Sequence, residues 1–133
     1  MGDRVFVQIQ CHKNDADYWK KVFGPPEEEW TRIGHENTIY LLWDWATINY
    51  AGYNEILTAC TEKKKFLCSW GDDYGSGRTI CTGDEDAYID CLFGSPMPAI
   101  EVLPRGIDSE ALKMAEKYWR LHAELQEYLE VTE

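Results

Sequence analysis

The side chains best suited to binding or catalysis are five carboxylates in two neighbouring turns. They are Asp72, Asp73, Asp84, Glu85 and Asp86. Both turns lie within segment 66–93, where short β-prone runs alternate with turns rich in glycine and aspartate, a pattern typical of a three-stranded antiparallel meander. We therefore expect these five carboxylates, the acidic rim, to line one edge of a sheet and to bind a basic protein partner.

The acidic rim does not follow a known metal-ligand pattern. An EF-hand loop starting at Asp84 would need an oxygen ligand and then glycine at the positions of Tyr88 and Ile89. The five cysteines occur singly, whereas structural zinc sites usually contain pairs such as Cys-x-x-Cys. The glycine-rich segment 71–77 lacks the Lys and Ser/Thr of a phosphate-binding loop. We predict no metal and no cofactor.

No catalytic set is recognisable around the three histidines. Cys11 and His12 are adjacent, but neighbours on a strand point to opposite faces. His122 falls on the apolar stripe of the last helix, which favours a role in the core or at an interface. The sequence favours a protein that is not an enzyme, and it leaves open an enzyme of unknown reaction that uses Asp44 or Asp90.

Aromatic side chains define a second candidate site. Trp43 and Trp45 share one face of a strand, and aromatic walls with a few polar groups are typical of small-molecule pockets. The alternative function is therefore a small-molecule-binding domain. Its expected pocket residues are Trp43, Trp45, Trp70, Tyr74 and Arg78.

The charge of the chain limits the classes of partner. The net charge is -11, and residues 66–133 hold 14 of the 24 acids and 5 of the 13 bases. This charge opposes direct binding to nucleic acid or to anionic membranes. An acidic mimic of DNA stays open as a further alternative. We see no signal peptide and no apolar run long enough to span a bilayer, and we predict a cytoplasmic protein with free thiols.

The pattern of apolar residues and turns predicts one α+β domain over residues 1–133. The expected order is β-α-β-α-β-β-β-β-α, with a mixed, mostly antiparallel sheet and helices mainly on one face. The polar connector 27–36 has no predicted strand. The expected strands are 4–11, 38–47, three within 66–93, and an edge strand at 99–103; the expected helices are 16–23, 50–62 and 109–130.

Turn symmetry gives a register for the meander. It places Cys68 opposite Ile80 and Ile80 opposite Ile89, and it puts Cys81 on the other side. The predicted core face is Phe66, Cys68, Trp70, Ile80, Ile89, Cys91 and Phe93. A slip of one residue would exchange the two faces. The edge strand and the last helix, whose predicted apolar stripe includes Trp119 and His122, are also available for self-association, so we expect a homo-oligomer as a further alternative.

Overall fold

A six-stranded antiparallel sheet forms the centre of the protein. The computed structural model describes residues 5–44, 52–71, 75–91, 102–103, 106–107 and 109–131. The strands are β1 (Phe6–His12), β2 (Glu28–Arg32), β3 (His35–Asp44), β4 (Lys65–Gly71), β5 (Ser76–Thr82), β6 (Asp86–Cys91), β7 (Val102–Leu103) and β8 (Gly106–Ile107). The helices are α1 (Ala16–Phe23), α2 (Tyr53–Thr61) and α3 (Ser109–Val131).

The strand order in the large sheet is β2-β3-β1-β4-β5-β6, and every described pair is antiparallel. Because β3 and β4 both pair antiparallel with β1, they run in the same direction on either side of it, and the chain between them passes through α2. The α+β class is confirmed. Among the described residues, no helix is both long and apolar enough to cross a membrane.

The segment predicted as a polar connector contains a strand. Glu28–Arg32 pairs with β3 as the edge of the sheet, and Gly34, at a φ of 86°, lies in the turn between them. All five residues of β2 are exposed, so no alternation of apolar and polar residues marked it in the sequence. Trp30 stacks on Tyr40 of β3, with ring centroids 5.4 Å apart, which gives the pairing a side-chain contact.

The register of the meander differs from the predicted one. Cys68 lies opposite Thr79, and Ile80 lies opposite Leu67 and Ala87. The β4–β5 loop is therefore centred half a residue earlier than expected, which is a slip of one residue in the pairing. Phe66 and Cys68 share one face with Cys81, whereas Ile80 and Ile89 lie on the other. The predicted single core face was wrong because both faces are covered, so apolar residues on either side are buried.

Helices α1 and α2 cover one face, which we call the α1/α2 face. Its core combines strand residues with Trp19 of α1 and Ile56 and Ala59 of α2, and Trp19 is completely buried. Aromatic contacts join the helix to the sheet: the Trp19 ring lies 4.9 Å from that of Phe66, and Phe23 lies 5.1 Å from Trp43. These aromatic contacts give a core with few polar groups.

Helix α3 covers the other face, which we call the α3 face. Its bounds agree with the predicted helix, but the buried stripe is rotated relative to the prediction. Tyr118 and Leu121 are completely buried, while Trp119 is 42% exposed. The buried cluster on this face is Leu67, Ile80, Ala87, Ile89, Tyr118, Leu121, Leu125 and Leu129. Of the predicted edge strand, the structure describes residues 102–103, which form β7 and pair with β8 in a separate two-stranded sheet; residues 99–101 lie outside the described residues.

Candidate functional site

A polar cavity of about 390 Å³ lies between the α3 face of the sheet and helix α3. Strands β1 and β3 to β5 provide its floor, β2 provides Arg32, and α3 provides one wall. The lining residues are Gln8, Gln10, Arg32, Tyr40, Leu67, Ser69, Arg78, His122, Gln126 and Glu130. Strand geometry explains this set, because alternate residues of β1 and β4 point to the same side. Nine of the ten lining side chains are polar or charged, so the cavity is suited to a polar ligand.

An amide pair connects the floor of the cavity to its wall. Gln10 and Gln126 exchange two hydrogen bonds, each side chain donating to the other at 3.0 Å. Gln10 also donates to the Tyr40 hydroxyl at 3.0 Å. Because Gln10 is 94% buried, these bonds compensate an amide that would otherwise lose its contacts with water. The same network fixes the orientation of two amides that line the cavity.

Two guanidinium groups give the cavity a local positive charge in an acidic protein. Arg78 donates from Nη1 to the Tyr118 hydroxyl at 3.3 Å, which holds it against α3. In the described part of the chain neither Arg32 nor Arg78 forms an ion pair, although Glu130 also lines the cavity. A guanidinium group presents several N–H donors in a planar fork that fits a carboxylate or a phosphate.

The imidazole of His122 responds to this positive charge. Burial lowers its pKa from the ordinary value of 6.5, and the charge of Arg78 lowers it further. His122 is therefore neutral at pH 7, with one ring nitrogen donating and the other accepting. A neutral imidazole beside a guanidinium can contribute a hydrogen bond to a ligand without adding a second fixed charge.

Among the described residues expected to form an aromatic pocket, Trp43 and Trp70 lie on one face of the sheet and Arg78 on the other. Trp43 is 98% buried on the α1/α2 face and donates from Nε1 to the Gly24 carbonyl at 3.0 Å. Trp70 also lies on this face, next to Gly77, where a Cβ would come within 2.7 Å of the Trp70 Nε1. Arg78 points to the α3 face and lines the polar cavity. Trp45 and Tyr74 lie outside the described residues.

The acidic rim is partly engaged within the protein. Glu85 accepts two hydrogen bonds from Arg120 of α3, at 2.9 and 3.1 Å, and these bonds lower the pKa of Glu85. Asp84 and Asp86 are exposed beside it. Asp72 and Asp73 lie outside the described residues. Recognition of a basic partner by this surface stays a prediction.

The two carboxylates considered for catalysis are separated by the sheet. Asp44 ends β3 on the α3 face, while Asp90 is on β6 with its side chain on the α1/α2 side, where it accepts a hydrogen bond from Tyr88 at 2.8 Å. Three strands lie between β3 and β6. Within the described ranges, no three His, Cys, Asp or Glu side chains are grouped so that they could hold a metal ion.

Most residues of the cavity were missed from the sequence. In the sequence, Gln8 and Gln10 alternate with the apolar residues Val7 and Ile9 of the expected strand 4–11, which indicates a polar face but not the floor of a site. The spacing of His122 and Gln126, one helical turn apart, was a second available signal. Neither signal alone identifies a cavity, because the residues of β1 and of α3 come together only if α3 covers this face of the sheet. No family model, no curated protein and no solved structure matches the chain.

Proposed function

We propose that this protein binds a small organic anion, one that carries a carboxylate or phosphate group, in the polar cavity under α3. The observation that carries the proposal is the convergence of Arg32 and Arg78, without an ion pair among the described residues, on a cavity whose other lining groups are neutral except for Glu130. In a chain of net charge -11, this local reversal of charge supports an anionic ligand.

The size and chemistry of the cavity support a small ligand. Its volume of about 390 Å³ falls in the range of roughly 300–1,000 Å³ found for small-molecule sites. The amides of Gln8, Gln10 and Gln126 and the hydroxyl of Ser69 offer both donors and acceptors for the neutral part of the ligand. Glu130 favours a ligand that also carries a donor, such as an amino or hydroxyl group.

The test is a thermal-shift screen that pairs each small carboxylate or phosphate monoester with its neutral amide or alcohol analogue. We expect anions to raise the unfolding temperature and their neutral analogues to do so less. Titration calorimetry then gives the dissociation constant for each hit. Arg78→Gln should weaken binding about 10- to 100-fold, since a hydrogen bond to a charged group contributes about 1.5–3 kcal/mol.

Lys21→Gln is the matched control, because it removes one positive charge from an exposed position on α1, on the opposite side of the sheet. It should leave the dissociation constant unchanged. Arg78→Lys keeps the charge but not the planar fork, and it should bind with intermediate affinity. The proposal fails if no anion stabilises the protein, or if Arg78→Gln, shown to be folded, binds the hits as tightly as the unchanged protein.

A further inference from the structure

Strand β2 forms an open edge of the large sheet. It stands at the end of the strand order, and in the described part of the chain no strand pairs with its outer side. All five of its residues, Glu28–Arg32, are exposed. The outer N–H and C=O groups of an edge strand can pair with a further strand, and β2 contains no lysine or proline, the residues that often prevent such pairing. β2 can therefore accept another strand.

The sequence of β2 is complementary to itself in the antiparallel direction. The one antiparallel register that pairs all five residues is centred on Trp30. In this register Glu28 of each copy lies opposite Arg32 of the other, and Trp30 lies opposite Trp30. Opposite charges and aromatic rings that face each other across two strands stabilise the pair. In-register parallel pairing would instead set Glu28 against Glu28 and Arg32 against Arg32, which is unfavourable.

The charges around β2 allow self-association in a strongly acidic chain. Glu29 already forms an ion pair with Lys20 of α1 at 2.6 Å, whereas Glu28 and Arg32 form none within the described ranges. Across two copies Glu28 and Arg32 neutralise each other, although each chain has a net charge of -11. The opposite edge strand, β6, carries two aspartates and no base, so pairing there would bring carboxylates together without a countercharge. The β2 edge is therefore favoured.

Trp30 supplies the apolar centre of this contact. Its side chain is 37% exposed and stacks on Tyr40 of β3, with ring centroids 5.4 Å apart and planes 6° from parallel. Directly opposite residues on paired strands have Cβ atoms about 4.5–5.5 Å apart, so the two Trp30 side chains would be neighbours. Arg32 also lines the polar cavity, and its five N–H donors are enough to contact both Glu28 of a second copy and a ligand.

We propose that two copies of this protein associate through β2, in the antiparallel register centred on Trp30, and form one continuous sheet. Because this register pairs residues that lie on the same face of each chain, the two α3 helices are on one side of the combined sheet. A short, partly charged edge strand discriminates against other strands, since Glu28 and Arg32 are neutralised only by a partner with the opposite charges in this register. The association does not depend on the proposed anion.

The test is sedimentation equilibrium of the full chain from about 1 μM to 1 mM, the range in which small interfaces dissociate. We expect the average mass to rise towards twice that of one chain. Glu28→Arg and Arg32→Glu each place like charges opposite each other at both ends of the contact, and each should weaken association at least about 10-fold. Trp30→Ala should weaken it about 10-fold. Tyr88→Ala, which removes an exposed aromatic ring from β6, is the matched control and should not.

A mixture of the two charge variants is the sharpest control. Glu28→Arg and Arg32→Glu should each fail to pair with themselves, but in the mixture every Arg faces a Glu, so association should return. The double variant Glu28→Arg/Arg32→Glu should also associate. Circular dichroism checks that each variant is folded, and Glu28→Gln or Arg32→Gln, with a smaller weakening, replaces one that is not. A monomer over the whole range, association that none of these changes weakens, or folded variants that mixing does not restore would each overturn the proposal.

Discussion

The two faces of the sheet are formed by the same strands but carry different kinds of side chain. On the α1/α2 face, β1 presents Val7, Ile9 and Cys11 to aromatic rings of α1, and all three strand residues are completely buried. On the α3 face, the same strand presents Gln8 and Gln10 to a polar cavity. Alternation along a single strand therefore supplies a packed layer on one side and a candidate site on the other.

The two faces of the sheet contribute to folding in different ways. The α1/α2 face removes apolar surface from water, which is the largest favourable contribution to folding. The α3 face does this where Leu121, Leu125 and Leu129 pack within its buried cluster. Beside that cluster, the amide pair and the bond from Arg78 to Tyr118 hold polar groups in fixed positions. The floor of the cavity is thus the reverse side of a rigid layer, which limits the movement of its polar side chains.

The largest expected effect is on the α1/α2 face. Trp19→Ala should lower the free energy of unfolding by about 3–5 kcal/mol, because it leaves a cavity at the centre of the aromatic cluster. Trp30→Ala is the matched control: Trp30 is 37% exposed and stacks on Tyr40 at the sheet edge, and its loss should cost about 1 kcal/mol. Urea unfolding gives both values, and Trp19→Phe can replace Trp19→Ala if the latter does not fold. Equal losses for Trp19→Ala and Trp30→Ala would contradict the comparison.

An intermediate effect is expected from the amide pair on the α3 face. Gln10→Leu and Gln126→Leu should each lower the free energy of unfolding by about 1–3 kcal/mol, because each leaves the partner amide unsatisfied. The free energy of unfolding of the double variant should fall by about 1–2 kcal/mol less than the sum of the two single losses, because it removes both amides together and leaves neither unsatisfied. Urea unfolding of the four proteins gives this coupling energy.

Gln8→Leu, combined with Gln126→Leu, is the control for this cycle, because Gln8 is on the same strand but outside the reciprocal pair. Its effect should add to that of Gln126→Leu. If the Gln10 and Gln126 changes were also strictly additive, the two side chains would not stabilise each other.

The smallest expected effect concerns the charge of His122. Because its pKa in the folded protein is lowered below 6.5, the unfolded chain binds the proton more readily. His122 should therefore reduce stability as pH falls through 6.5 towards the lowered value, and leave it unaffected above 6.5. Chemical unfolding across this pH range should show a shallower loss for His122→Gln, with His35→Gln as the control.

The same group tests the electrostatics of the cavity. In NMR titrations of the ring protons, Arg78→Gln should raise the pKa of His122, because it removes the positive charge that, together with burial, lowers this pKa. Lys21→Gln should not change it. A pKa of His122 that is unaffected by Arg78→Gln would show that the two groups do not interact in solution.

Several elements were predictable because their signals are local. The bounds of α3 follow from the regular spacing of apolar residues over 109–130, and β1 follows from strict alternation around Val7 and Ile9. The stripe within α3 was less accurate: Trp119 was expected to be buried and Tyr118 is buried instead. Residues 118, 119, 121 and 122 all carry large side chains, so their spacing alone did not determine which ones contact the sheet.

The sequence by itself determined the class of the fold and the location of its long helix, because hydrophobic periodicity acts through the nearest residues along the chain. Only the tertiary structure decided the pairing of β4 with β5, the existence of β2 and the convergence of Arg78 with Gln10 and His122. Each of these depends on contacts between distant segments: a one-residue change in register moves side chains to the opposite face, and the face covered by α3 determines which of them surround the cavity.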